Sequence, residues 1–174
     1  MSKNESDMKD EISRLQTELA DAAKNWLAMD GLWFLAVEKA YGLDAAMACD
    51  VKVWEEFSVI EARRISVRLN LPEHGGLDAL DRALRTRLFA HINTCTISRP
   101  DPHTLELFML TCRTQDARER KGLPFFPCKQ IGLVDYPRFA STIDPDIRTE
   151  CISCPPDERE GDFRCGWRFT LNKK

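Results

Sequence analysis

The sequence predicts an α+β fold: N-terminal helices followed by an antiparallel sheet built from two hairpins with interposed helices. Three observations carry this. Apolar residues recur at intervals of three and four from Met8 to Ile92, which is helical spacing. They recur at two from Phe163 to Leu171, which is strand spacing. The strand candidates also come in adjacent pairs, the order that favours an antiparallel sheet with helices packed on one face. At 174 residues the chain is one domain in length. It divides into a loose N-terminus over 1–7 and a single domain over 8–174, helical over 8–92 and sheet-containing and Cys-rich over 93–174.

Met8, Ile12, Leu15, Leu19, Ala22 and Trp26 define the first helix, with Ser6 or Asp7 as its cap. From Asn25 to Glu38 the helix is apolar on nearly every side and is expected to be buried on nearly every side, interrupted only by Asp30 and Glu38. Gly42 ends it through a left-handed cap. Asp44 caps a short helical turn, and Asp50 caps a longer helix from Val51 to about Leu69. Pro72 and Gly75-Gly76 break the chain, and Leu77 to Ile92 forms the next helix. Thr94 to Ser98 and Leu105 to Cys112 pair as a hairpin around Pro100-Asp101-Pro102. Arg113 to Lys121 is a charged helix that Gly122-Leu123-Pro124 stops. A further helix after Pro127 runs to Thr142, made irregular by Gly132 and Pro137. Ile147 to Cys154 and Phe163 to Leu171 are the last strands, joined by a polar loop from Pro155 to Asp162. In the final strand Phe163, Cys165, Trp167, Phe169 and Leu171 point one way, and Arg164, Arg168 and Thr170 the other.

Twenty-five basic against 28 acidic residues give a net charge of −3, which argues against a nucleic-acid partner. No apolar run approaches the ~18 residues of a membrane span, and the polar N-terminus has no signal-peptide pattern. Together these place the chain in the cytosol. Seven cysteines are then expected to stay reduced, as buried hydrophobes, metal ligands or reactive thiolates.

Three constellations offer chemistry. From Cys112 to Lys129 five basic and two acidic residues give a local charge of +3. Arg113, Gln115 and Arg118 at a helix start form a candidate site for a small anion, against the alternative of a solvated basic face. Asn93 and Trp33 are further ligand-binding candidates. Cys151 and Cys154 form a C-x-x-C pair which, with Cys128 and a fourth ligand, offers a site for zinc or an iron–sulfur cluster. Against that, strand alternation turns Cys151 and Cys154 to opposite faces unless the strand ends or bulges. The acids Asp30 and Glu38 lie eight apart, two turns along one helix face. Each must pair, with Arg113 or Arg118 for example, or have its pKa raised. Among the candidate catalytic residues, Cys112 or Cys128 is the reactive thiol, and Asp30, Glu38 or His91 its proton-transfer partner.

The runs LAMDGLWFLAVEKAYG, VWEEFSVIEARRI, CRTQDARERKGLPFFPCK, FASTIDPDIRTECISCPPD and FRCGWRFTL resemble an uncharacterised bacterial family of cytosolic proteins, over nearly the whole chain. The Cys-rich last strand pair, closing on Cys165-Gly166-Trp167-Arg168-Phe169, is similar to that of the aminothiazoline-carboxylate hydrolases, which open a small sulfur–nitrogen ring. This second resemblance implies a small-molecule pocket at the sheet and carries over no catalytic residue. The expected function is binding of a small anionic molecule, with hydrolysis of a C–N bond in a small carboxylate as its enzymatic form. The alternatives are a thiolate metal module and a non-catalytic interaction protein, and the first helix offers a surface for homo-oligomer formation.

Overall fold

The computed structural model describes residues 3–158 and 161–171. Its elements are α1 (Lys3–Tyr41), α2 (Leu43–Leu69), α3 (Gly76–Leu84), a 3₁₀ turn (Leu88–His91), β1 (Cys95–Asp101), β2 (Thr104–Met109), α4 (Arg113–Arg120), α5 (Lys129–Ile143), β3 (Ile147–Ser153) and β4 (Cys165–Leu171). The α+β architecture is as the periodicity requires. Four antiparallel strands lie in the order β1-β2-β4-β3, each hairpin contributing an edge strand and a central strand.

One row of the sheet faces the helices. Leu105, Leu107 and Met109 of β2 stand opposite Phe169, Trp167 and Cys165 of β4. They bury against Ala62 and Ile65 of α2, Leu80 and Leu84 of α3, and Phe139, Ala140 and Ile143 of α5. Trp167 is fully buried and Arg168 exposed, so from Cys165 onward the faces are as the alternation assigns them. The strand starts at Cys165, and Phe163 lies before it against Phe108 of the other row, with ring centroids 4.8 Å apart. A second apolar cluster joins Met47 and Trp54 of α2 to Phe126 and Ile131, with Trp26, Phe34 and Phe89 packed on it.

Several elements differ from expectation. The first helix starts at Lys3, so residues 3–7 are helical and Ser6 and Asp7 lie inside it; residues 1–2 are outside the described residues, as are 159–160 of the polar loop and 172–174 of the domain. Side-chain pairing supports the early turns: Arg14 bridges Glu11 and Glu18 on the exposed face. Asn25 to Glu38 is not buried all round. Met29, Leu32 and Trp33 are 61%, 62% and 69% exposed, because only one side of α1 meets α2. Gly42 has φ +89° and joins α1 to α2. The helix that follows is continuous, so Asp44 sits in its first turn and Asp50 lies within it rather than capping another. The Leu77–Ile92 helix breaks after Leu84, because Arg87 turns inward to two buried acids and resumes the chain as a 3₁₀ turn. In contrast, α5 is continuous through Pro137, and Gly132 is there for contact. A Cβ at that position would stand 2.3 Å from Cζ2 of Trp167.

Candidate functional site

Between the two apolar clusters lies a cavity of about 480 Å³. Helix α1 covers it, α2 and α5 form its walls, and the end of β2 with α4 forms its rim. Aromatic and aliphatic side chains dominate the lining, among them Leu27, Phe34, Trp54, Phe89, Phe126 and Ile131.

Besides Asp135 of α5, which is paired with Arg87, two carboxyl groups interrupt this lining, Asp30 from α1 and Asp50 from α2. Among the described residues neither has an ion-pair partner. Burial raises the Asp30 carboxyl above the usual carboxylate range. Burial, and then the charge of Asp30, push Asp50 up to about 7, against a hydrogen bond from Trp54. An acid that titrates near neutrality in an apolar cleft is equipped to exchange a proton or to meet a ligand's positive charge.

Four thiols line the same cavity: Cys112, Cys128, Cys154 and Cys165. Cys128 Sγ lies 3.6 Å from Cys154 Sγ and 3.5 Å from Gln115 Nε2. Those two contacts hold the Cys128 thiol below its ordinary range, and the same contact with Cys128, joined by Cys165 and burial, raises Cys154. Burial pushes Cys112 up to about 11, which disfavours its thiolate near neutrality.

The remaining candidates separate into cavity and scaffold. Arg118 lines the cavity, but its guanidinium is spent. Nη1 and Nη2 donate to Glu38 at 2.9 and 3.2 Å, and Nε donates to the Pro124 carbonyl at 2.8 Å. This is the ion pair foreseen between Glu38 and one of the arginines, and it makes both residues fasteners of α1 to the 123–128 loop. Gln115 is likewise occupied. Its Nε2 donates to the Phe126 carbonyl at 2.8 Å and its Oε1 accepts the Phe126 N–H at 2.9 Å. Gln115 therefore positions Cys128 instead of orienting an anion. Asn93 lines the cavity and its Oδ1 accepts the Arg113 N–H at 2.9 Å, closing the start of α4. The Arg113 side chain is exposed at the rim, with no ion-pair partner among the described residues. Trp33 and His91 do not line the cavity, and no hydrogen bond joins His91 to Cys112 among the described residues. Trp33 points outward because α1 presents only one side to the body of the protein.

The proposed sulfur ligand set is not assembled. The strand does bulge, with a register shift between Cys151 and Ser153. Cys151 stands opposite Trp167 on the inner face, yet it is absent from the cavity lining. Among the described residues, the one group of three His, Cys, Asp or Glu ligand atoms all within 4.8 Å is His74, Asp144 and Asp146. There Asp144 is occupied by accepting the backbone N–H groups of Gly76 and Asp146, each at 2.9 Å.

Two features escaped the sequence reading. Asp50 precedes a helical pattern and so reads as a cap. Arg87, Glu61 and Asp135 read as ordinary charges, yet they form a buried triad that reaches the cavity lining through Asp135. Arg87 donates to Glu61 at 2.8 Å and to Asp135 at 2.7 and 3.1 Å, with its guanidinium 4.2 Å from the Phe139 ring centroid. Ser58 Oγ adds a hydrogen bond to Asp135 at 2.7 Å.

Among the described residues no helix is long and apolar enough to cross a membrane. Comparison with curated proteins gives no match. The Family of unknown function (DUF6125) matches residues 8–171, covering both the cavity and the sheet, and the chain therefore belongs to that uncharacterised family.

Proposed function

We propose that this is a small-molecule-binding protein whose ligand occupies the cavity between α1, α2 and α5, and carries both a basic nitrogen and a carboxylate. The observation that supports this most is the pair Asp30 and Asp50. Two acids in an apolar cleft without a basic partner cost stability that a structural role does not return, while a cationic group between them would offset that cost. Arg113, with Arg120 and Lys121 also in the lining and without an ion-pair partner among the described residues, supplies the cation for a carboxylate. The ligand is thus narrower than the small anion expected from Arg113, Gln115 and Arg118 together.

A hydrolytic use of the same cavity is a second reading, favoured by a lowered thiol and a near-neutral carboxyl in one lining. Cys128 would attack the carbon of a C–N bond, the protonated Asp50 would deliver its proton to the departing nitrogen, and Arg113 would hold the carboxylate; water would then add to the carbon, break the bond to Cys128 and return a proton to Asp50. This is the reading to which the likeness of the last strand pair to aminothiazoline-carboxylate hydrolases contributes.

A thermal-denaturation screen of small amino acids, amines and plain carboxylates tests both. Compounds with both charges are expected to raise the melting temperature of the wild type. They are expected to lose that effect with Ala117→Trp, which fills the cavity from α4. Saturation a hundredfold above Kd corresponds to roughly 2.7 kcal/mol of added stability. Stabilisation by carboxylates alone would return the site to an anion site, and stabilisation undiminished in Ala117→Trp would place binding elsewhere.

The first helix also supports the interaction reading. Met8, Ile12, Leu15 and Leu19 are exposed at alternating intervals of four and three, the seam of a coiled coil. A second copy presents the same stripe and is its self-complementary occupant. The wild type should then sediment as a dimer and Ile12→Lys/Leu15→Lys as a monomer; a monomeric wild type at high micromolar concentration would contradict this.

A further inference from the structure

The cavity holds a pair of thiols, Cys128 and Cys154, whose mutual contact neither reading of the ligand uses. Cys128 Sγ and Cys154 Sγ are 3.6 Å apart, in contact but unbonded, where a disulfide needs ~2.05 Å. Side-chain rotation closes a gap of that size when the two backbones are already held together, and here they are. The Lys129 N–H donates to the Pro155 carbonyl at 2.9 Å, joining the residues that follow each cysteine. Lys129 Nζ pairs with Asp157 at 2.8 Å, and Asp157 Oδ2 accepts the Cys154 N–H at 3.4 Å.

The two thiols are chemically unlike. Cys128 is the residue immediately before the fifteen-residue α5, so its sulfur lies at the positive end of the helix dipole. Gln115, itself locked to Phe126, directs an N–H at that sulfur from 3.5 Å. Both features favour a thiolate. Cys154 is buried at 2% exposure, and either sulfur of the pair can donate to the other.

We propose that Cys128 and Cys154 are a redox-active dithiol, with Cys128 the attacking and Cys154 the resolving thiol, oxidised by a low-molecular-weight disulfide that enters through the cavity. In the first step the Cys128 thiolate attacks one sulfur of the disulfide RSSR. A Cys128–S–S–R bond forms, the original S–S bond breaks, and RS⁻ leaves. In the second step Cys154 gives its proton to RS⁻ and its sulfur attacks Cys128 Sγ. The Cys128–Cys154 bond forms and the second RS⁻ leaves, protonated from solvent. The protein dithiol loses two electrons and the disulfide gains them, yielding two RSH. The arrangement does not depend on which ligand the cavity takes. It replaces the metal role expected for Cys128, Cys151 and Cys154, because a dithiol needs two sulfurs in contact and no third.

Incubating the full chain with oxidised glutathione, followed by non-reducing peptide mapping, tests this. The expected result is one new linkage, Cys128 to Cys154, with two thiols lost per chain and both restored by dithiothreitol. Cys154→Ser should stop at a stable mixed disulfide on Cys128, and Cys128→Ser should leave Cys154 unmodified while folding as the wild type by circular dichroism. Should either variant fail to fold, the wild type alone decides, since brief alkylation of the native protein should label Cys128 ahead of Cys112 and Cys165. A Cys154–Cys165 linkage, a glutathione adduct persisting on wild-type Cys128, or a stoichiometric metal ion in freshly purified protein would each overturn the proposal.

Discussion

Asp50 shows how one side chain serves a site at the cost of the fold. Its carboxyl titrates near 7 in the folded protein, whereas an unfolded chain ionises it near 3.8. The folded state therefore keeps a proton that the unfolded state has released, and stability falls as pH rises from about 4 to about 7, then levels. Asp50→Asn removes that slope. It should stabilise the protein at pH 8 by on the order of 2 to 4 kcal/mol, discounting for partial exposure, and by little at pH 4. Urea denaturation of both proteins across this range checks it; a gain over the wild type no larger at pH 8 than at pH 4 would show that Asp50 is ionised and satisfied in the fold. Of the two unpaired cavity acids, Asp30 was legible in the sequence because it interrupts an apolar run. Asp50 was not, because an acid ahead of a helical pattern has a commoner explanation. Glu38 and Arg118 were legible as a pair, since a buried acid needs a cation, but spacing alone does not say whether such a pair faces a ligand or fastens a loop.

Among the elements, the regular ones followed from period and the exceptions from tertiary contacts. Strand β4 was readable because the buried Trp167 and Phe169 flank the exposed Arg168, although Phe163 falls before the strand and packs on Phe108 instead. Helix α1 was misread over Asn25 to Glu38, since a run apolar on all sides implies burial only if neighbours exist to supply it. The Leu77–Ile92 helix breaks because Arg87 is drawn to Glu61 and Asp135, residues 26 and 48 positions away along the chain. Gly132 illustrates the same point within α5. In an exposed helix Gly→Ala gains about 1 kcal/mol. Here the new Cβ would press on the Trp167 ring at 2.3 Å. The overpacking cost of roughly 1 to 3 kcal/mol should win, and Gly132→Ala should lower the melting temperature. A rise instead would mean that Trp167 has room to move and that the wall between α5 and the sheet is softer than its packing indicates.

For the molecule as a whole, the fold class was written in local periodicity, but the cavity was not. Its lining comes from α1, α2, the 3₁₀ turn, β2, α4 and α5, and from residues beyond β3, so no stretch of sequence carries it. The thiols and the acids were each visible as residue types; their meeting in one volume is a property of topology. That volume is the centre of the account, and amide chemical-shift mapping of a stabilising amino-acid-like compound on the wild type tests it most directly. The account predicts shifts concentrated at Asp30, Asp50, Trp54 and Arg113, with binding that weakens as pH falls below about 7 and Asp50 takes up its proton. Shifts confined to the outer sheet face or the exposed stripe of α1, or an affinity that strengthens as pH falls, would contradict it.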